Sequence, residues 1–133
     1  MNDAEFLEAL ESCRLPPHEF GHEAHVRAGY SYLRTGGLGQ AIDRMGATLR
    51  RYATAQGADG KYHATVTVAF LVLLQRHLHE RGDGGGWAGF RCANPELFER
   101  DLLLRWYGRE ELASPLARAV FVLPQRGGSA AVP

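Results

Sequence analysis

Apolar residues recur at three- and four-residue intervals through most of this chain, the signature of amphipathic helices. The most regular run is Leu38, Ile42, Met45, Leu49 and Tyr52, spaced four, three, four and three, with Asp43, Arg44, Arg50 and Arg51 lying away from that row. It predicts a helix from about Leu38 to Ala55. Upstream, residues 3–14 read as a short helix with Phe6, Leu7 and Leu10 on one side, Glu5, Glu8 and Glu11 on the other, and Asp3 as its N-cap. Leu15-Pro16-Pro17 ends it, because a residue before proline is pushed out of helical geometry. A second helix starts between Pro17 and His22 and runs to about Thr35, where Gly36-Gly37 stops it. Along it, His22, His25, Gly29 and Tyr32 form one row, and Val26, Tyr30 and Leu33 the next.

After a turn at Gly57-Ala58-Asp59-Gly60, a fourth helix is predicted from about Tyr62 to Arg81. Val66, Val68 and the threonines favour a strand there, but about twenty residues without a breaker decide for helix. It is apolar nearly all round through Leu74, which marks it as the central, most buried helix. Gly82-Asp83-Gly84-Gly85-Gly86 reads as a mobile loop. Asn94-Pro95-Glu96, with a capping residue followed by proline, opens a fifth helix that carries Leu97, Phe98, Leu102 and Trp106 toward the core. Ser114-Pro115 opens a short sixth helix through about Ala119, Val120 to Leu123 is extended, and residues 125–133 read as a flexible tail. The expected fold is an all-α, single-domain bundle of five or six helices spanning residues 1–133.

Composition narrows the function classes. A chain of 133 residues with 45% hydrophobic and 23% charged content supports one sizeable core. Fifteen basic and fifteen acidic residues cancel, which argues against nucleic acid or an anionic membrane as partner. Cys13 and Cys92 make neither a disulfide framework nor a zinc knuckle and read as free thiols in a reducing compartment. No apolar signal core opens the chain, and the run from Val66 to Leu74 is too short to span a bilayer, so the expected location is the cytoplasm.

The chemistry-bearing residues are histidines. His22 and His25, three apart on one helix, lie on one face with Cβ atoms about 5–6 Å apart. His63 opens the fourth helix, and parallel second and fourth helices would bring all three imidazoles to one end of the bundle. Three neutral imidazoles leave a divalent ion with open positions, the composition of a catalytic site, and suit Zn, Fe, Cu or Ni. Glu19 and Glu23 are candidates to orient an imidazole or act as general base. Tyr62 is a candidate proton donor, Thr67 could orient a ligand or a bound water, and Arg118 could anchor a substrate carboxylate. Each has a plainer alternative: solvated carboxylates in a first helical turn, a packed tyrosine, a threonine bonded to its own helix, a surface arginine, and a His63 that only caps its helix. His18 is a weak fourth ligand, and His77 and His79 read as surface residues. Gly82 to Gly89 could form a lid, with Trp87 and Phe90 either lining it or tacking the loop to the core.

The segments His22-Glu23-Ala24-His25-Val26-Arg27, Lys61-Tyr62-His63-Ala64-Thr65-Val66-Thr67 and Ser114-Pro115-Leu116-Ala117-Arg118 resemble a family of small, uncharacterised bacterial helical proteins, a likeness that brings no activity with it. A weaker, architectural likeness is to the DinB-type metal-binding four-helix bundles, which also gather three histidines. Their pair is spaced His-x-x-x-His, whereas here it is His-x-x-His. The expectation is a metal-dependent enzyme acting on a small molecule, by oxygenase, oxidase, hydrolase or lyase chemistry. The alternative is a non-enzymatic helical binding module whose histidines are structural or regulatory.

Overall fold

The computed structural model describes residues 1–125, so the expected tail lies, past Gln125, outside the described residues. The fold is all-α, and no strand occurs among the described residues. Helices α1 (Asp3–Glu11), α2 (His22–Thr35), α3 (Leu38–Ala55), α4 (Ala64–Arg81), α5 (Trp87–Ala93), α6 (Arg109–Ala113) and α7 (Pro115–Ala119) are joined by single 3-10 turns at Pro17–Glu19, Pro95–Phe98 and Leu102–Arg105. No helix of the described residues is long and apolar enough to cross a membrane.

Helices α2, α3 and α4 pack on one another and form the framework. The predicted α3 row does face inward: Met45 and Tyr52 are buried, and Leu38, Ile42 and Leu49 pack against the same cluster. From α2 come Val26, Ala28, Tyr30 and Tyr32, and from α4 Leu71 and Leu74. Each such large apolar side chain contributes about 1.5–3 kcal/mol on burial. Gly29 lets α2 and α4 approach closely, since a Cβ there would lie 2.7 Å from Leu74 Cδ1 and 3.2 Å from Leu71 Cδ2. The Tyr32 hydroxyl, buried between α1 and α3, lies 2.7 Å from Thr48 Oγ1 and donates to Glu11 Oε2 at 2.7 Å. Burial pushes its pKa up to about 12.

Several local expectations are corrected. The first helix is capped by Asn2, not Asp3: the Asn2 side chain accepts from the Glu5 amide while the Glu5 carboxylate accepts from the Asn2 amide. The fourth helix starts at Ala64 with His63 as N-cap. It contacts α2, α3 and α7, but Val72 is 43% exposed, so one stripe faces solvent.

The glycine-rich segment after α4 is a tight, anchored turn. Asp83 accepts the Tyr30 hydroxyl through its carbonyl at 2.9 Å and pairs with Arg34 through its carboxylate at 2.9 Å. Gly84 adopts φ +69° directly against the backbone of Gly89 and Phe90, a contact that any Cβ on Gly84 or Gly89 would overlap. This delivers Phe90 into the core beside Tyr30, at 4.8 Å between ring centroids, with Trp87 at 5.3 Å from Tyr30. Those two aromatics therefore tack the segment down.

No fifth long helix follows Asn94. Leu97, Leu102, Leu103 and Tyr107 are all buried, and their spacing of five, one and four fits no single helical stripe, so two 3-10 turns deliver them instead. Trp106 is left 37% exposed. Asn94 is itself fully buried, donating to the Phe90 carbonyl at 2.8 Å and accepting from Arg81 at 3.1 Å. The extended run from Val120 is fastened by side chains: Thr65 Oγ1 donates to the Val120 carbonyl at 2.9 Å and accepts from the Val122 amide at 3.1 Å.

Candidate binding cleft

Between α2, α3 and α4 lies a cleft with two adjoining halves. One, of about 380 Å³, is walled by Val26, Met45, Phe70, Leu71 and Leu74. The other, of about 340 Å³, is walled by Gln56, Lys61, Tyr62 and His63. Phe20, His25, Leu49, Val66 and Thr67 line both and form the waist between them. The α4 contribution is a single helical stripe, because Val66, Thr67, Phe70, Leu71 and Leu74 recur at three- and four-residue spacing.

His25 sits at that waist. Its Nδ1 lies 2.9 Å from the Gly21 carbonyl, which can only accept, so Nδ1 carries the proton and the neutral ring keeps its lone pair on Nε2. The ring stacks on Phe20 at 4.0 Å with an interplanar angle of 15°. Phe20 in turn meets Tyr52 edge-on at 4.9 Å, and the Tyr52 hydroxyl donates to the Leu15 carbonyl at 2.6 Å. Burial holds the His25 pKa below its ordinary value of 6.5, opposed by the bond to Gly21 and aided by nearby His22. His25 is therefore a neutral imidazole at neutral pH.

His22, the first residue of α2, lines the apolar half. Its Nε2–H donates to the Leu97 carbonyl at 3.1 Å, leaving the lone pair on Nδ1. The ring meets Phe70 edge-on at 5.2 Å. His63 differs. Its Nδ1 accepts from the Val66 amide at 3.1 Å, capping α4, and its Nε2–H donates to the Leu112 carbonyl at 2.6 Å. Both ring nitrogens are committed, so ligation by His63 would break the cap of its own helix. Consistent with this, no three His, Cys, Asp or Glu side chains among the described residues gather closely enough to hold one metal ion. The three histidines of the expected ligand set are thus held apart in the structure, each bonded to a main-chain carbonyl.

The other expected site residues divide. Thr67 is buried and lines both halves, and Tyr62 lines the polar half with the Arg50 guanidinium 4.2 Å over its ring. Glu19 and Glu23 line neither half. They border a separate depression beside Arg27, where Glu19 lies 3.7 Å from His18 and Glu23 pairs with Arg91 at 2.8 Å. Arg118 is exposed and donates to the Gly60 and Lys61 carbonyls at 3.3 and 3.4 Å, bracing the segment before α4 from outside the cleft. His77 is half-buried, with Nδ1 2.7 Å from Asn94 Oδ1 and 3.4 Å from Glu96, whereas His79 is exposed as expected.

Sequence reasoning missed Phe20, Leu49, Lys61 and Phe70 as cleft residues. The signal for Phe70 was available, since it lies one turn beyond Val66 and Thr67 on the stripe that carries Thr67. Phe20 and Lys61 lie in connecting segments, where no periodicity points to a partner. The chain matches no protein-family model, no curated protein and no solved structure.

Proposed function

We propose that the chain is a helical binding domain for a small, mainly apolar molecule held in the α2–α3–α4 cleft, with His25 as the polar contact at its waist. The observation that carries this reading is the cleft itself: an apolar half and a polar half, joined where a neutral imidazole keeps a lone pair. Pockets of about 300–1,000 Å³ lined mainly by apolar side chains, with few oriented polar groups, are where small molecules bind. A lone pair in such surroundings accepts a hydrogen bond, or takes a proton from a bound molecule, without a competing charge. The test is binding of the neutral fluorescent probe N-phenyl-1-naphthylamine to the native chain and to Leu49→Trp, which fills the wall shared by both halves. Saturable binding by the native chain and at least tenfold weaker binding by a folded variant are expected. Equal binding by both would refute the reading.

A second reading, metal-dependent chemistry on that molecule, draws support from one observation. His22 and His25 each donate one ring N–H to a backbone carbonyl, as histidine ligands commonly do, and keep the other nitrogen as an acceptor. A divalent Zn, Fe, Cu or Ni ion bound by these two imidazoles and water would keep open positions for a substrate. Calorimetric titration with Zn²⁺ should then show binding lost in His22→Ala and in His25→Ala and kept in His63→Ala.

A further inference from the structure

The charge pattern of the cleft narrows the ligand class, on the premise that the cleft is the binding site. Among the described residues, no Asp or Glu lines either half. Among the described residues, the one fully charged side chain in the walls is Lys61, at the polar end. Arg50 is not a wall residue and lies over the ring of Tyr62. Lys61 has no carboxylate within ion-pair distance among the described residues, although nine arginine–carboxylate pairs occur among them. Of the two nearest acids in sequence, Asp59 accepts from Thr54 Oγ1 at 2.7 Å, and Asp43 is exposed two turns back on α3, away from the row that faces the cleft. The polar end therefore presents the unneutralised Lys61 ammonium beside Tyr62, and the opposite half is walled mainly by hydrocarbon.

We infer that the ligand is an amphiphilic carboxylate, with its apolar body between Phe70 and Leu74 and its anionic head toward Lys61. The waist suits the join between the two parts. Neither His25 nor Thr67 carries a negative charge, so the join meets no ionic repulsion at the waist. A cationic head would meet Lys61 with no counter-charge, and an uncharged head would gain nothing from its ammonium. Size is compatible: at roughly 30 Å³ per heavy atom, the share of one water in the liquid, the apolar half of about 380 Å³ holds about a dozen heavy atoms. A saturated ten-carbon acid fills that half and extends its carboxylate into the polar one.

The experiment is isothermal titration calorimetry of the full chain with decanoate, decan-1-ol and decylammonium, each below its aggregation limit, repeated on Lys61→Gln. Lys61 is exposed, so its replacement leaves the fold intact. Decanoate should bind the native chain at least tenfold more tightly than decan-1-ol and more tightly still than decylammonium. Lys61→Gln should weaken decanoate about fivefold or more and leave decan-1-ol unchanged. Decan-1-ol binding as well as decanoate, or decanoate indifferent to Lys61→Gln, would overturn the anionic head while leaving the cleft as a binding site. Failure of all three to bind would overturn both.

Discussion

Replacing His63 by alanine removes two bonds at once, and their sizes can be reckoned separately. The first is the N-cap bond from the Val66 amide to Nδ1, 3.1 Å long. Loss of a side-chain cap costs about 1 kcal/mol, within a range of about 0.5–2. The second is the 2.6 Å bond from Nε2–H to the Leu112 carbonyl, which ties the start of α4 to the end of α6. Its net contribution is about 0.5–1.5 kcal/mol, and a carbonyl left without a partner raises the penalty. Together, His63→Ala should destabilise the chain by about 2–3 kcal/mol. For a chain of this length that lowers the melting temperature by roughly 6–12 °C. Urea denaturation followed by circular dichroism should show a lower midpoint with an unchanged slope. His63→Asn keeps an acceptor for the Val66 amide but cannot reach Leu112, so it should recover about half of the loss. The loss should also be the same with and without EDTA. An unchanged midpoint in His63→Ala, or an asparagine variant no better than alanine, would refute the cap. A loss that vanishes in EDTA would return His63 to the role of metal ligand.

Three further outcomes are expected. Phe70 is half-buried in a wall already open to the cleft, so Phe70→Ala should cost about 1–3 kcal/mol, below the ~3–5 of a sealed core phenylalanine; chemical denaturation measures it, and a loss above that range would mean the cleft is closed in solution. Burial lowers the His25 pKa, so below pH 6.5 the unfolded chain takes up a proton that the folded chain resists, and stability should fall as pH drops from 6.5 toward the depressed folded value. His25→Gln should flatten that slope in pH-dependent melting curves, and an identical slope would put the titration elsewhere. Gly84→Ala places a Cβ at φ +69° against the Gly89–Phe90 backbone and should cost on the order of 2–4 kcal/mol; a melting temperature within about 1 °C of the native chain's would show that the turn can be rebuilt.

The long helices were legible because their apolar spacing is a property of each segment alone. The α3 row needed nothing from the rest of the chain to declare which side is buried. The region from Asn94 to Tyr107 was not, because Leu97, Leu102, Leu103 and Tyr107 are buried against different neighbours, and an Asn-Pro helix start carries no information about how soon the helix must stop. The histidines show the limit for a site. Their spacing placed His22 and His25 on the wall of one cleft, and Tyr62, His63 and Thr67 proved to line it too. What each ring nitrogen does was decided by the carbonyls of Leu97, Gly21 and Leu112, and a carbonyl leaves no trace in the identity of the residue that bears it. Glu19 and Glu23 were proposed from proximity along the chain, but the turn at Pro17–Glu19 and the side of α2 that Glu23 occupies aim them at a different depression.

That dependence on the main chain has a consequence for how the site tolerates sequence drift. All three imidazoles are oriented by backbone oxygens, so residues 97, 21 and 112 can change type without altering the acceptor they offer, provided the path of the chain holds. Covariation between a histidine and its anchor should therefore be weak, and a search for paired substitutions would pass over these contacts. The positions under real constraint are those that set the chain path: Gly29, where two helices nearly touch, and Gly84 and Gly89, where two backbones do. A variant library that spares those glycines and randomises the anchors should keep the rings where they are.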